Sequence, residues 1–355
     1  MGRPDCVVEK PARRHPQHPH ARNGLHRGQP RPLIGIRRRE LLLASLAPLA
    51  PAVRAAHPRY RVGITTNTRG GWESDVFLSF REAREAGYRY VESFFHYFID
   101  YLDRPEDLKR EIERIGVNFV TISNGGPMEM RFEDPARHEK ILAEHVRLAR
   151  FIGHFGCTHL KINLGPRRPE GTTGEDLHHM AEVLEELGRR TRTLGIRLAV
   201  HAHMWSQFEN RREIEYVLGH TRPEHVWFVL DTGHITLAGM DPVALARELG
   251  HRIVEFHLKD TAPEHRGGAK RRMERPDMMK NPPFFPLGHG GVDFAALKDH
   301  LDSIAWTGWL TVELDSSPFR PPKESARISR RYLEQQLGIP VAWKRQRLPE
   351  PWPSA

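Results

Sequence analysis

Cysteine is nearly absent from the 355-residue chain, which holds only Cys6 and Cys157. Cys6 falls in a leader expected to be removed. Cys157 then stands alone, and neither an intramolecular disulfide nor a thiolate metal cluster can form. Long hydrophobic runs are scarce too. The one strongly apolar stretch, Leu41 to Val53, spans about a dozen residues, short of the roughly 20 that a membrane-crossing helix needs. No glycine-rich phosphate fingerprint follows the first predicted strand, because Thr66-Asn67-Thr68-Arg69-Gly70-Gly71 has the wrong spacing. This disfavours a dinucleotide-binding domain. Nothing repeats on a solenoid period and no heptads occur, so a purely structural role is weakly supported.

Excess charge is missing from most of the chain as well. The formal net charge is +9, but residues 1–56 hold eleven Arg and Lys against Asp5, Glu9 and Glu40, so +8 belongs to that segment and +1 to the rest. A nearly neutral body offers no electrostatic footprint for DNA or RNA. Residues 1–36 are rich in Arg, Pro, His and Gly and are expected to form a disordered basic leader. Residues 37–56 read as a signal peptide of twin-arginine type. Arg37-Arg38-Arg39 precedes the apolar stretch, and Val53 and Ala55 stand at the −3 and −1 places of a cleavage site. The expected location is periplasmic or otherwise exported, and cytoplasmic if the leader does not function. A stable membrane span is not expected.

From Tyr60 onward, short β-branched or apolar runs alternate with longer amphipathic segments. Eight runs stand out: Tyr60 to Thr65, Tyr88 to Glu92, Val117 to Ser123, Thr158 to Asn163, Arg197 to His203, Val226 to Asp231, Ile253 to Lys259 and Trp309 to Glu313. Asp134-Pro135 and Asp241-Pro242 punctuate helix starts, and Thr172 with Glu175 forms a candidate capping box. Eight strand–helix units predict an α/β fold, a (β/α)8 barrel over residues 57–340, followed by a tail at 341–355. The stretch from Thr261 to Gly291 is the one long irregular loop, of the kind that serves as a lid or partner contact.

Function in a barrel sits at the C-terminal strand ends. Four consecutive strands end there in Leu198-Ala199-Val200-His201-Ala202-His203, Asp231-Thr232-Gly233-His234, His257-Leu258-Lys259-Asp260 and Val312-Glu313-Leu314-Asp315. Alternation along a strand puts His201 with His203, and His257 with Lys259, on shared faces. Imidazoles and carboxylates collected at one mouth suit a catalytic divalent ion such as Mn²⁺, Zn²⁺, Co²⁺ or Fe²⁺.

These motifs, with Leu287-Gly288-His289-Gly290-Gly291-Val292-Asp293-Phe294, resemble the xylose-isomerase-like TIM-barrel superfamily, nearest its sugar phosphate isomerase/epimerase and inosose dehydratase branches. The resemblance spans Tyr60 to Leu337. It implies a metal held by His201, Asp231, His257 and Glu313, with His201 where the family usually has a carboxylate. That departure resembles the dehydratase-like branches and removes one base of a two-glutamate proton shuttle.

Around these ligands, His203 and His234 are candidates for acid–base work, Lys161 and Lys259 for stabilising an oxyanion, and Glu92 for a general base. Trp72, Trp205 and His289 are candidates for substrate contact, although aromatics past strand ends as often pack a loop down. The expected chemistry is proton abstraction beside a carbonyl of a sugar or polyol, giving an isomerase or epimerase. The alternative is a lyase that expels a β-substituent from an inosose or 3-keto-glycoside. An AP-endonuclease-like nuclease would need more histidines and a basic surface. A non-catalytic sugar-binding barrel would bind sugar without metal. Homo-oligomerisation is left open.

Overall fold

The computed structural model describes residues 59–341. The expected leader, the expected export signal and the expected tail at 341–355 fall on residues outside those described, apart from Val341. Eight parallel strands make a nearly closed barrel: β1 Arg59–Thr65, β2 Tyr90–Phe94, β3 Asn118–Ser123, β4 His159–Ile162, β5 Arg197–His201, β6 Val226–Asp231, β7 Ile253–Leu258 and β8 Thr307–Val312. Their order is β3-β2-β1-β8-β7-β6-β5-β4. The helices are α1 Val76–Ala86, α2 Pro105–Ile115, α3 His138–Gly153, α4 Gly174–Arg192, α5 Arg211–Gly219, α6 Thr232–Leu237, α7 Pro242–Leu249, α8 Arg275–Lys280, α9 Phe294–Ser303 and α10 Pro322–Gln335, of which α6 is wholly buried. Among the described residues no helix is long and apolar enough to cross a membrane.

The helices dock because their apolar residues recur at helical spacing. In α4, Leu177, Met180, Leu184 and Leu187 form one buried stripe, while Glu175, Glu182 and Arg189 point outward. Asp241 caps α7 as expected, accepting from Val243 N–H and Ala244 N–H. The capping box of α4 sits one residue later than expected. Asp176 N–H donates to Thr173 Oγ1 and Thr173 N–H to the Asp176 carboxylate, whereas the buried Thr172 hydroxyl donates to the carbonyl of Gln207. The tertiary contact with the loop after β5 thus takes Thr172 and leaves its neighbour to start the helix.

Strand pairing runs without a break from β3 round to β4, and side chains close the last seam. Asn163 N–H donates to Asn124 Oδ1 at 2.8 Å, Asn124 Nδ2 donates to the Asn163 carbonyl at 3.0 Å, and Thr121 Oγ1 donates to the His159 carbonyl at 2.8 Å. The side chains inside the barrel change from floor to mouth. Arg61, Arg197, Trp227 and Trp309 lie near the N-terminal strand ends, and His159, Glu255 and Thr311 join hands across the middle. The ionisable cluster described below lies at the C-terminal ends.

The stretch from Thr261 to Gly291 is more ordered than its composition suggests. Asp260–Thr261 pairs antiparallel with Phe284–Phe285, and α8 lies between them. Asp260 holds the following turn, accepting from Gly288 N–H at 2.9 Å, Gly290 N–H at 2.9 Å and Val292 N–H at 3.0 Å. A Cβ at Gly290 would lie 2.1 Å from the Thr261 carbonyl oxygen, so only glycine fits there.

The seam carries a pH dependence. His145 of α3 is fully buried, donates Nδ1–H to the Ile141 carbonyl and accepts at Nε2 from Asn124, and burial pushes its pKa from 6.5 down to about 4. The unfolded chain therefore takes up this proton first. The contribution is complete above pH 6.5 and is lost as pH falls toward 4, at up to about 1.4 kcal/mol per pH unit. Urea unfolding across this range should show a shallower acid decline in His145→Gln than in the parent. Equal slopes would refute the assignment.

Candidate metal centre

Four neighbouring strands deliver the central cluster. His201 ends β5, Asp231 ends β6, His257 lies in β7 and Glu313 follows β8. One ligand atom from each lies within 4.8 Å of the others, and all four residues are buried. His201 Nε2 and Asp231 Oδ2 are 3.6 Å apart; His201 Nε2 has no hydrogen-bond partner among the described residues, and Asp231 Oδ2 faces Lys259 Nζ at 3.2 Å. A buried lone pair left bare is costly unless a cation joins it. Two imidazoles and two carboxylates match Mn²⁺, Zn²⁺, Co²⁺ or Fe²⁺, so the residues fit the expected metal.

The neighbours fix which nitrogen each imidazole presents. His201 Nδ1–H donates to Asn163 Oδ1 at 2.8 Å, which turns the Nε2 lone pair toward Asp231. His257 Nε2–H donates to Glu92 Oε2 at 3.0 Å, which leaves Nδ1 facing Glu313 and Asp231. Second partners of this kind orient metal-binding imidazoles and raise their basicity.

Glu92 and Lys161 have a different place from the one expected. Both are buried beneath the cluster, with Lys161 Nζ 2.6 Å from Glu92 Oε1. Glu92 is thus occupied by Lys161 and His257, and no oxygen of it is presented as a base. Lys259 sits between two groups of ligands. Its Nζ lies 2.8 Å from Asp315 Oδ1, 2.9 Å from His234 Nε2 and 3.2 Å from Asp231 Oδ2. A Cβ at Gly233 would come within 2.6 Å of the Lys259 stem, so the glycine of Asp231-Thr232-Gly233-His234 makes room for this lysine.

His203 and His234 pack beside Lys259 with ring centroids 3.8 Å apart and planes tilted by 43°, and with Asp315 they make a second group whose ligand atoms lie within 4.8 Å of one another. Because Nε2 of His234 accepts from Lys259, its proton sits on Nδ1, which is buried and has no partner among the described residues.

Trp205 stands at the mouth, 6.4 Å by ring centroid from both His203 and His234, with its indole N–H donating to the Met273 carbonyl. Trp205 adopts a left-handed backbone conformation, φ 65°, a strain that tertiary contacts must hold. Trp72 is instead buried and donates its indole N–H to Glu82 of α1. His289 is exposed, in a surface groove beside Arg331 and Tyr332 of α10. Neither reaches the cluster. Asn163 and Phe284 were not singled out in the sequence and Asp315 was named only as the end of a strand motif, yet all three border it. The ring of Phe284 lies 5.5 Å from that of His234 and 4.8 Å from Lys259 Nζ.

Electrostatics at the mouth are dominated by burial. Burial pushes His201 down to about 3, and nearby Lys161 adds to the effect. His257 also loses by burial, but Glu92 and Glu313 outweigh this and raise it well above its ordinary value. Burial opposes the charge of Glu313, yet Lys259 and His257 hold its carboxyl down at about 2. Lys259 keeps its proton because Asp231, Asp315 and Glu313 overcome its burial. Glu92, Asp231, Glu313 and Asp315 thus outnumber the two ammonium groups that face them, Lys161 and Lys259, which favours a cation at the cluster.

Replacing Asn163 by Ala should free the His201 ring to turn while sparing all four ligands. Zn²⁺ affinity measured by chelator competition should fall about 10- to 100-fold. Unchanged affinity would show that Asn163 does not orient the ligand.

The chain matches the profile of the xylose isomerase-like TIM barrel over residues 80–336. It is similar to an inosose dehydratase from Lacticaseibacillus casei, with 29% identity over 170 residues, 47% of this chain and 57% of that protein. The aligned part therefore spans little more than half of that relative's length. Among solved structures, D-psicose 3-epimerase from Clostridium cellulolyticum H10 superposes with a TM-score of 0.62 at 15% identity, covering 79% of this chain and 99% of that one. The IOLI protein, whose crystal structure carries a zinc atom, superposes with a TM-score of 0.57 at 17% identity, covering 79% and 98%. Taken with the eight-stranded barrel, the profile match across most of the chain establishes that this protein belongs to the xylose isomerase-like TIM barrel family.

Proposed function

We propose that this protein is a divalent-metal-dependent lyase that removes a β-hydroxyl or β-alkoxide from a polyol ketone, such as an inosose or a 3-keto-glycoside. The observation that carries this reading is that uncommitted acid–base groups lie on one side of the metal cluster. The strand-5 position holds His201 rather than a carboxylate, and Glu92 is taken up by Lys161 and His257. Epimerisation by proton return to the opposite face needs a second base there, whereas elimination needs one base and one acid. Resemblance to an inosose dehydratase supports the same choice. The export signal expected at residues 37–56 favours unphosphorylated substrates.

A divalent ion held by His201, Asp231, His257 and Glu313 supplies Lewis acidity, which makes the C–H beside a coordinated carbonyl more acidic. Glu313 Oε2 lies beside His257 Nδ1 on the ligand side, and Oε1 makes no hydrogen bond among the described residues, so Oε1 is the base that takes the C–H proton. His234 holds its proton on Nδ1, turned to no partner, and donates it to the departing oxygen as the C–O bond breaks, while Lys259 Nζ passes a proton to Nε2 so that the ring stays neutral. Lys259 has its N–H groups engaged by His234, Asp315 and Asp231. Its positive charge faces the developing oxyanion and sets the His234 tautomer before the proton moves. Trp205 and Phe284 roof this side and keep water away from it.

The test is incubation with an inosose and with a 3-keto-glucoside in deuterated water, with Mn²⁺, Zn²⁺, Co²⁺ or Fe²⁺ supplied in turn. Loss of water or alkoxide is expected, abolished by chelation, with Glu313→Gln reducing the rate about 10²- to 10⁴-fold and His234→Ala about 10²-fold or more. Deuterium wash-in with inverted stereochemistry and no elimination would replace the lyase with an epimerase. Sugar binding without metal and without turnover would favour a non-catalytic barrel.

A further inference from the structure

The groups at the mouth are closed off from solvent. His201, Asp231, His257 and Glu313 are at most 4% exposed, and Lys259 and His234 at most 1%. A polyol ketone reaches them only if something over the mouth moves. The segment 270–282, which includes α8, lies there. At one end Arg272 Nε donates to Glu209 Oε1 at 2.9 Å, and the Met273 carbonyl accepts from the indole N–H of Trp205 at 3.1 Å, both in the loop after β5. Further along, Met278 Sδ accepts from Arg69 Nη2 at 3.7 Å, in the loop after β1. β1 and β5 stand opposite each other in the eight-stranded ring, so a segment fastened to both crosses the opening. We propose that segment 270–282 is a gate over the metal centre, with Glu209 as the positioning residue that latches it shut. The inference rests on the metal centre at this mouth and not on which reaction follows.

Glu209 is a buried carboxylate on which three parts of the chain converge. The Trp205 N–H donates to Oε2, Arg167 Nη1 lies 3.4 Å from Oε1, and Arg272 reaches both oxygens, Nε to Oε1 at 2.9 Å and Nη2 to Oε2 at 3.4 Å. The first two fix the carboxylate beside the β5 loop, and the bond from its N–H helps to hold Trp205 at φ 65°. Of these partners only Arg272 belongs to the gate. Its side chain is 37% exposed, so water can replace the carboxylate when the gate opens, and an ion pair of this kind is weak enough to be broken and remade. The thioether of Met278 is a weak acceptor, so the far fastening is weak as well. The flanks of the segment are held more firmly. Ala269 N–H donates to the Thr236 carbonyl at 2.8 Å, Ala262 N–H donates to the Pro283 carbonyl at 3.0 Å, and Asp260–Thr261 pairs with Phe284–Phe285 beyond them. Firm flanks with weak fastenings between them suit a hinged flap. With the gate shut, Trp205 is tied to Met273 and stands over His203 and His234. Closure therefore also completes the roof over the acid–base groups.

Two rates on the full chain test the gate: tryptic cleavage after Lys280 in the metal-free protein under native conditions, and stripping of Zn²⁺ from the loaded protein by excess chelator. Cleavage tracks the population of the open form. Arg272→Ala should raise both rates about three- to fivefold, the scale of a partly exposed ion pair. The Zn²⁺ dissociation constant from chelator competition should stay unchanged, because a gate speeds entry and exit alike. Arg272→Lys keeps the charge and should recover most of the parent behaviour. Trp205→Phe removes the indole N–H and should act in the same direction, which decides the matter if Arg272→Ala does not fold. Unchanged cleavage and stripping would overturn the gate. Faster stripping matched by an equal loss of affinity would overturn it too, since the contact would then be holding the ligands rather than a flap. A protein that takes up no Zn²⁺ yet shows the cleavage change would keep the moving segment and refute the metal centre instead.

Discussion

Asp231 and Glu313 are carboxylates buried in the mouth of a barrel, and nearly everything around them follows from the need to balance their charge. Their oxygens share one space with Lys259 Nζ, at 3.2 and 3.5 Å. That ammonium group is itself buried and cannot leave. A buried cation on one side and a ligand cluster with a bare lone pair on the other make the two halves of the site unequal. The half around His201 and His257 suits a metal. The half around His203 and His234 suits proton transfer, because Lys259 sets the tautomer there.

Precision in such a centre comes from residues one step back. Asn163 bonds the metal-facing His201 and also takes part in closing the β3–β4 seam, where its backbone meets Asn124. Barrel closure and ligand orientation therefore depend on the same residue. Glu92 does the same for His257 while holding Lys161. The loop from Thr261 to Gly291 adds the roof, because Asp260 gathers the backbone N–H groups of Gly288, Gly290 and Val292 and so anchors one end of the segment that carries Phe284.

At the mouth, carboxylates outnumber ammonium groups and point to a divalent cation. The interior of the barrel below the mouth is polar rather than apolar, with Glu255 tied to His159 and Thr311. Such a column is tolerated only because its members satisfy one another.

Period and punctuation in the sequence were enough to mark all eight strands, whose boundaries fall within two residues of the expected runs, since alternation and strand length are local properties. The convergence of His201, Asp231, His257 and Glu313 was also legible, because a barrel sends its C-terminal strand ends to one mouth. Three-dimensional packing alone decided the rest. Glu92 and Lys161 look free in sequence but face each other across the barrel, and Trp72 and His289 follow strands or motifs yet turn to α1 and α10. Asn163 and Phe284 gave no periodic signal, and the role of Asp315 was not legible, since a residue's hydrogen-bond partner depends on which distant side chain folding brings beside it. The sequence by itself determined the fold and the ligand-bearing strands through local patterns. Only the tertiary structure decided which polar groups are spent on each other and which are left for chemistry.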